Sequence, residues 1–154
     1  MMFRILPTSL IFILLAACGS DADSVALINP EDELRAWVST AEERAEEKDR
    51  SGLLDMISEA YADGRGNDRN KVGNMLRLYF MRQQSVVMLT SVDDIKLMGD
   101  SAAEVNVTVG MAGTNASALG VRANAYNFEF VLEKPDDEWM LLGASWGRVG
   151  GDMR

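Results

Sequence analysis

The chain has 154 residues, of which 47% are hydrophobic, and a formal net charge of −9 at pH 7. This length and composition are typical of one globular domain with a single apolar core. The negative charge disfavours binding to nucleic acid or to anionic lipid headgroups. Histidine is absent, which excludes a serine–histidine triad and most catalytic zinc sites. The single cysteine excludes an internal disulfide framework.

The N-terminal segment has the layout of an export signal. Arg4 precedes an apolar stretch over residues 5–15, and small residues come directly before Cys18. A charged start, an apolar middle and a small-residue cleavage site are the three parts of such a signal. A transmembrane helix needs about 20 apolar residues, and this stretch is shorter and interrupted by Pro7. A buried core cysteine and a free thiol are the alternative interpretations of Cys18.

The run Leu15-Ala16-Ala17-Cys18 resembles the lipobox of bacterial lipoproteins. The resemblance implies that residues 1–17 are a signal peptide, that Cys18 is acylated and becomes the first residue, and that residues 18–29 form a flexible tether. Stable anchoring takes more than one acyl chain, which the triacylated product of this family supplies. Because Gly19 is not the aspartate that retains such proteins in the inner membrane, the resemblance implies the periplasmic face of the outer membrane. The inner membrane is the alternative.

Three helices are predicted at the start of the mature domain. Asn29-Pro30 is a strong helix start, and apolar residues at helical spacing predict the first helix over about residues 30–48. Asp49 or Ser51 caps a second, shorter helix. Asp68 is the predicted cap of the third helix, which again carries an apolar stripe.

From Ser85 onward, the hydrophobic pattern changes to a period of two residues, which indicates strands. Four antiparallel strands are predicted, over residues 85–97, 105–109, 126–133 and 139–146. A loop over residues 112–120 separates the second strand from the third. Three helices followed by four strands predict an α+β domain with its helices on one face of the sheet. Trp139 and Trp146 are seven residues apart and are therefore expected on opposite faces.

The order of these elements, with Glu138-Trp139 and Ala144-Ser145-Trp146 in the last strand, resembles the nuclear transport factor 2-like superfamily. Residues 57–61 and 82–85 resemble segments that recur in a bacterial subgroup of it. The resemblance implies a cystatin-like cone over residues 30–149, with about three helices on a curved antiparallel sheet of about four strands and a short tail at 150–154. It also implies a homodimer through the sheet face. Isomerases, cyclases and adaptor domains share this fold, so the fold alone does not identify a function.

Glu129 and Asp63 are the candidate catalytic carboxylates. Glu129 alternates with the aromatic residues of its strand, so it faces solvent if those residues fill the core. If the sheet instead lines a polar pocket, Asn127 and Glu129 lie in it, with Trp146 and Tyr79 as further lining candidates. Asp63 lies in a glycine-rich turn, where capping that turn is the simpler role.

Arg65, Arg69, Lys71, Arg77 and Arg82 make the third helix a basic island, and the first three are its candidate partner-binding residues. In the simpler interpretation, the acidic first helix neutralises these charges. In the alternative interpretation, these basic residues bind an acidic partner or an anionic ligand. The turn at residues 63–67 departs from the calcium-loop pattern, so neither a metal nor a cofactor is predicted. The ten methionines suit core filling or an adaptable apolar pocket.

These observations predict a membrane-anchored periplasmic lipoprotein whose domain is a non-catalytic binding or interaction module. It would bind an unknown protein partner or a small apolar ligand, and no nucleic acid. The alternative is a small-molecule isomerase or dehydratase that uses carboxylates in the pocket of the cone. Two polar side chains converging in that pocket would favour ligand binding or catalysis, whereas a fully packed cone would exclude both.

Overall fold

The domain is organised by four long antiparallel strands that follow three helices. The computed structural model describes residues 29–115 and 121–153. The helices are α1 (Pro30–Glu46), α2 (Arg50–Asp55) and α3 (Arg69–Arg82). The strands are β1 (Gln83–Leu97), β2 (Ala102–Asn115), β3 (Val121–Glu133) and β4 (Met140–Arg148). Each strand pairs with its neighbour in sequence, in the order β1-β2-β3-β4. The predicted α+β order of elements is therefore confirmed.

Two sequence predictions concern residues that lie wholly or partly outside the described part of the chain. The signal segment, Cys18 and the tether before Asn29 are outside it, and their roles stay predictions. The loop predicted over 112–120 is too long, because β2 continues to Asn115 and β3 begins at Val121. No helix within the described ranges is long and apolar enough to cross a membrane.

Side-chain caps define where the helices begin. Asn29, Asp49 and Asp68 each accept a hydrogen bond from a backbone N–H of the first helical turn, at 3.1, 3.0 and 2.8 Å. This satisfies donors that have no partner within the helix. Ser51 is not the cap of α2, since its hydroxyl donates to the capping carboxylate at 2.8 Å. Helix α1 ends at Glu46 rather than Lys48, because Lys48 has a left-handed backbone with φ of 57°.

One face of the sheet packs on α1 and forms the main core. Alternate residues of β2, from Ala103 to Val109, are at most 3% exposed and cluster with Leu34 and Val38 of α1. A second cluster joins the segment after α2 to β4 through Ile57, Tyr61, Leu141 and Ala144. The alternation of buried and partly exposed residues along β2 confirms the period-two prediction for this strand.

A β-bulge in β4 decides where Trp139 lies. Leu142 is an extra residue in the register between β3 and β4, and such a residue reverses the face of everything beyond it. Trp139 therefore lies on the helix side and donates its indole N–H to Glu33 of α1 at 2.9 Å. Trp146 lies on the same side, stacked on Phe128 with ring centroids 6.1 Å apart. The prediction that the two tryptophans lie on opposite faces is wrong, because it assumed uninterrupted alternation.

Both edges of the sheet have hydrogen-bond partners. On the β1 edge, the carboxylates of Glu42 and Glu46 accept the backbone N–H groups of Thr90 and Met88, at 3.0 and 2.8 Å. On the β4 edge, residues 56–62 form backbone hydrogen bonds of 2.8–3.1 Å with the strand. Unpaired edge groups are a template for aggregation, so these contacts protect the sheet from edge-to-edge pairing. They also hold α1 against β1, which positions the cavity described next.

Candidate functional site

A cavity of about 350 Å³ lies between the three helices and the inner face of the sheet. We call it the main cavity because core residues of the helices and the sheet line it. This volume falls within the range of about 300–1,000 Å³ that is usual for ligand pockets. It is more than twice that of a cavity of about 150 Å³ that binds benzene. The lining is mainly hydrophobic and includes Trp37, Leu53, Val72, Leu76, Val107 and Phe130. The domain is therefore hollow at the place where the helices meet the sheet.

Among the residues that the structure describes, Glu42 is the only carboxylate that lines the main cavity. Its Oε2 accepts the backbone N–H of Thr90 at 3.0 Å and also the Thr90 hydroxyl. A general base must be free to take a proton from its substrate. These two hydrogen bonds hold the Glu42 carboxylate at the edge of the sheet. The carboxylate therefore has a structural role, which is to attach α1 to β1.

Tyr79 and Trp37 place further polar atoms beside the main cavity. Burial, and secondarily the neighbouring Tyr126, raises the pKa of the Tyr79 phenol, so this group stays protonated at neutral pH and can donate a hydrogen bond. The Trp37 indole N–H is buried without a hydrogen-bond partner within the described residues, and its ring packs edge-on against Phe130. The sequence predicted no functional role for Trp37.

A second cavity, of about 690 Å³, adjoins the main one, because Tyr79 and Met111 line both. Its wall is aromatic and includes Tyr126, Phe128 and Trp146. Charged groups also line it, and these are Arg65, Arg148 and Asp152. This cavity combines a flat aromatic surface with two guanidinium groups.

Arg65 is held in place over the aromatic wall. Its guanidinium carbon lies 4.2 Å from the centre of the Trp146 ring, and its Nη2 donates to the Trp146 carbonyl at 3.0 Å. Stacking of this kind suits the planar arginine head, which a lysine does not reproduce. The geometry fixes the plane of the guanidinium while leaving most of its N–H donors for other partners.

The structure brings two of the four candidate pocket residues to these cavities and leaves two away from them. Tyr79 lines both cavities and Trp146 lines the second, whereas Asn127 and Glu129 line neither. Asn127 lies opposite Thr108 and Glu129 opposite Asn106, on the sheet face that carries no helix. The homodimer that the superfamily resemblance implies would form through this face. Alternation that turns the aromatic residues of β3 inward turns the polar ones outward.

Asp63 caps the turn in which it lies and lines neither cavity. Its Oδ1 accepts the backbone N–H groups of Arg65 and Asn67, at 2.9 and 2.8 Å, and its Oδ2 accepts the Asn67 amide at 2.8 Å. Burial raises the pKa of Asp63, but these hydrogen bonds outweigh it, so the net pKa lies below the usual value. An acid that is ionised and fully hydrogen-bonded in this way organises a turn.

The three candidate partner-binding cations all have contacts within the domain. Arg65 stacks on the Trp146 ring, as described above. The Arg69 guanidinium donates hydrogen bonds to the Leu54 and Ile57 carbonyls, at 3.0–3.2 Å. Lys71 donates to the Gly66 carbonyl at 2.7 Å. Arg65 thus contacts β4, Arg69 contacts the end of α2 and the segment after it, and Lys71 contacts the turn before α3, so the partners are not the acids of α1. No group of three or more acidic, histidine or cysteine side chains in the described ranges is placed to hold a metal ion.

Several solved structures are similar to this chain. A candidate scytalone dehydratase from Novosphingobium aromaticivorans has a TM-score of 0.72 and 10% identity, over 80% of this chain and 85% of that chain. A ketosteroid isomerase-like protein from Erwinia carotovora atroseptica has a TM-score of 0.65 and 14% identity, over 79% and 98%. A nuclear transport factor 2-like superfamily protein from Salmonella enterica has a TM-score of 0.64 and 12% identity, over 77% and 89%.

No family model matches the sequence, and no curated protein matches it. At the identities of the solved structures, the likeness establishes the fold and leaves the activity open. The neighbours include proteins named for enzymes and a protein named only for its superfamily. The chain has the nuclear transport factor 2-like fold, as the order of its elements predicted.

Proposed function

We propose that this protein is a lipid-anchored envelope protein whose domain binds a small apolar ligand in the main cavity without catalysing a reaction. The observation that carries the binding role is a hydrophobic cavity of about 350 Å³ that the core leaves unfilled. Apolar surface removed from water contributes about 25 cal/mol per Å² to binding, so such a cavity favours an apolar guest. A domain built only as a rigid spacer has no need of this space, since protein interiors are normally close-packed.

Binding is better supported than catalysis by the polar groups of the cavity. An isomerase or a dehydratase that works through carboxylates needs one that can exchange a proton with its substrate. Glu42 is the carboxylate in the lining, and both of its hydrogen bonds come from Thr90 of β1. The Tyr79 phenol can orient a ligand by donating a hydrogen bond, which a binding site also requires.

Filling the cavity is expected to weaken binding of an apolar ligand. Ala41 lies on α1 and lines the cavity, so Ala41→Leu places a larger side chain inside it. We expect the affinity for N-phenylnaphthylamine, a neutral fluorescent probe, to fall about tenfold, which corresponds to about 1.4 kcal/mol. Fluorescence titration of the purified protein measures this change, and thermal unfolding shows whether the variant stays folded.

Ser39→Leu is the matched control for this substitution. Ser39 is exposed on the same helix and lines neither cavity, so the same side chain is added outside the site. Its affinity for the probe should equal that of the wild type. A folded Ala41→Leu protein that binds the probe as well as Ser39→Leu does would place the binding elsewhere. A wild-type protein that binds no apolar probe would refute the binding role.

The anchor is supported by the run Leu15-Ala16-Ala17-Cys18 and tested separately from the cavity. Cys18→Ser removes the thiol that the acyl chain needs, so we expect loss of palmitate incorporation and of the protein from washed membranes. Fractionation of cells fed with labelled palmitate measures both. Ser24→Ala, in the predicted tether, should leave both unchanged. A Cys18→Ser protein that still incorporates palmitate would rule out this anchor, and a density gradient of the wild type assigns the membrane.

A further inference from the structure

The two adjoining cavities differ in chemistry and share a boundary. The main cavity is hydrophobic, whereas the second is aromatic and bordered by charged groups. Tyr79 and Met111 belong to both linings, so these two side chains lie at the boundary between the cavities. A ligand that occupies both spaces therefore needs an apolar body and a polar end.

The charge of the second cavity favours an anion. Among its described lining residues, two are basic, Arg65 and Arg148, and one is acidic, Asp152, in a protein whose overall net charge is −9. Neither ion pair found within the described residues involves these two arginines, since the pairs are Arg69–Glu59 and Lys134–Glu33. Guanidinium groups present several N–H donors in a planar fork that matches a carboxylate. The local excess of positive charge is thus available to a ligand.

Arg65 is oriented before any ligand arrives. The stacking on Trp146 and the hydrogen bond to its carbonyl fix the guanidinium plane. A group that is already ordered loses little conformational entropy on binding, which favours affinity. The protonated Tyr79 hydroxyl, at the boundary between the cavities, is a further donor toward an anionic head.

We propose that the ligand is an anionic amphiphile of the carboxylic acid class, with its apolar body in the main cavity and its carboxylate at Arg65 and Arg148. This inference rests on the proposed function, because it assumes that the main cavity holds the apolar part. It adds the chemical class of the head group and the residues that select it. A neutral apolar molecule of the same length is a poorer ligand.

Decanoate and decanol test this selection, because they share a chain and differ in the charge of the head. Each is used to displace N-phenylnaphthylamine from the full-length protein at pH 8 and low salt. We expect decanoate to bind about tenfold more tightly than decanol, the size of effect that one charge-assisted hydrogen bond supplies. The preference should shrink as salt is added, because exposed charges are screened.

The head-group residues are tested by Arg148→Gln and Arg65→Gln. Each should weaken decanoate binding about threefold, half of the tenfold preference on the free-energy scale, because the charged head loses one of its two partners. Asp152→Asn should tighten decanoate binding, because it removes the one acid of the second cavity. Arg77→Gln is the matched control, since Arg77 is exposed on α3 and lines neither cavity.

The outcomes separate this inference from the proposed function. Equal displacement by decanoate and decanol would overturn the inference while leaving apolar binding in place. A decanoate preference that Arg148→Gln and Arg77→Gln reduce equally would show a general charge effect and would also overturn it. A decanoate affinity that Ala41→Leu does not change would place the chain outside the main cavity and overturn it too. Absence of binding by the probe and both decyl compounds would refute the proposed function itself.

Discussion

Replacing Leu34 with alanine is expected to lower the free energy of unfolding by about 3–4 kcal/mol. Leu34 has no exposed surface and lies in the cluster where α1 meets β2 and Leu132 of β3. The lost side chain leaves a space that the paired strands around it cannot close, so the cost of a cavity adds to the lost transfer energy. Since domains of this size are stable by about 5–15 kcal/mol, this one substitution removes a large share.

Leu78→Ala is the matched control for the Leu34 variant. Leu78 is 52% exposed on α3, so its truncation should cost no more than about 0.5 kcal/mol. Urea denaturation followed by circular dichroism measures both variants, and an unchanged slope shows that the unfolded states are comparable. Equal losses in the two variants would contradict the packing of α1 on the sheet.

Replacing Arg69 with methionine is expected to cost about 2–3 kcal/mol, although most of that loss does not come from its ion pair. The Arg69 guanidinium donates to the carbonyls of Leu54 and Ile57, at the end of α2 and just beyond it. The side chain of Arg69 is only 26% exposed, so methionine leaves these part-buried acceptors without their partner. The same contacts hold α3 beside α2, and both helices line the main cavity.

Glu59→Gln separates the ion pair from the carbonyl bonds of Arg69. Glu59 lies 2.7 Å from the Arg69 guanidinium, but its side chain is 87% exposed. Ion pairs open to solvent contribute about 0–1 kcal/mol, so Glu59→Gln should cost less than about 0.5 kcal/mol. Chemical denaturation measures the free energy of unfolding of both variants. A loss in Glu59→Gln as large as that in Arg69→Met would assign the stabilisation to the ion pair instead.

The beginnings of the helices could be predicted from the sequence because capping is local. Asn29, Asp49 and Asp68 each bind a backbone N–H two or three residues further along the chain. The same holds for the turn at Asp63, whose partners Arg65 and Asn67 are near in sequence. Alternation along a strand is equally local, so the buried residues of β2 were predictable.

The candidate site could be predicted only in part, because it depends on contacts between distant segments. Glu42 was assigned no role, since nothing near it in sequence shows that α1 lies along the edge of β1 and meets Thr90 there. The pairing of Arg65 with Trp146 joins a turn to the last strand, at a sequence separation of 81. Asn127 and Glu129 were pocket candidates whose direction depended on which face of the sheet the helices cover.

The order of helices and strands, the caps and the inward-facing residues of β2 all follow from local patterns in the amino-acid sequence. Each of these depends on side chains a few positions apart. The cavity between helices and sheet, and the charged cavity that adjoins it at Tyr79 and Met111, could be found only in the folded domain. A single inserted residue, Leu142, was enough to move Trp139 to the helix side. Voids, bulges and helix placement result from packing of the whole chain, so no local pattern encodes them.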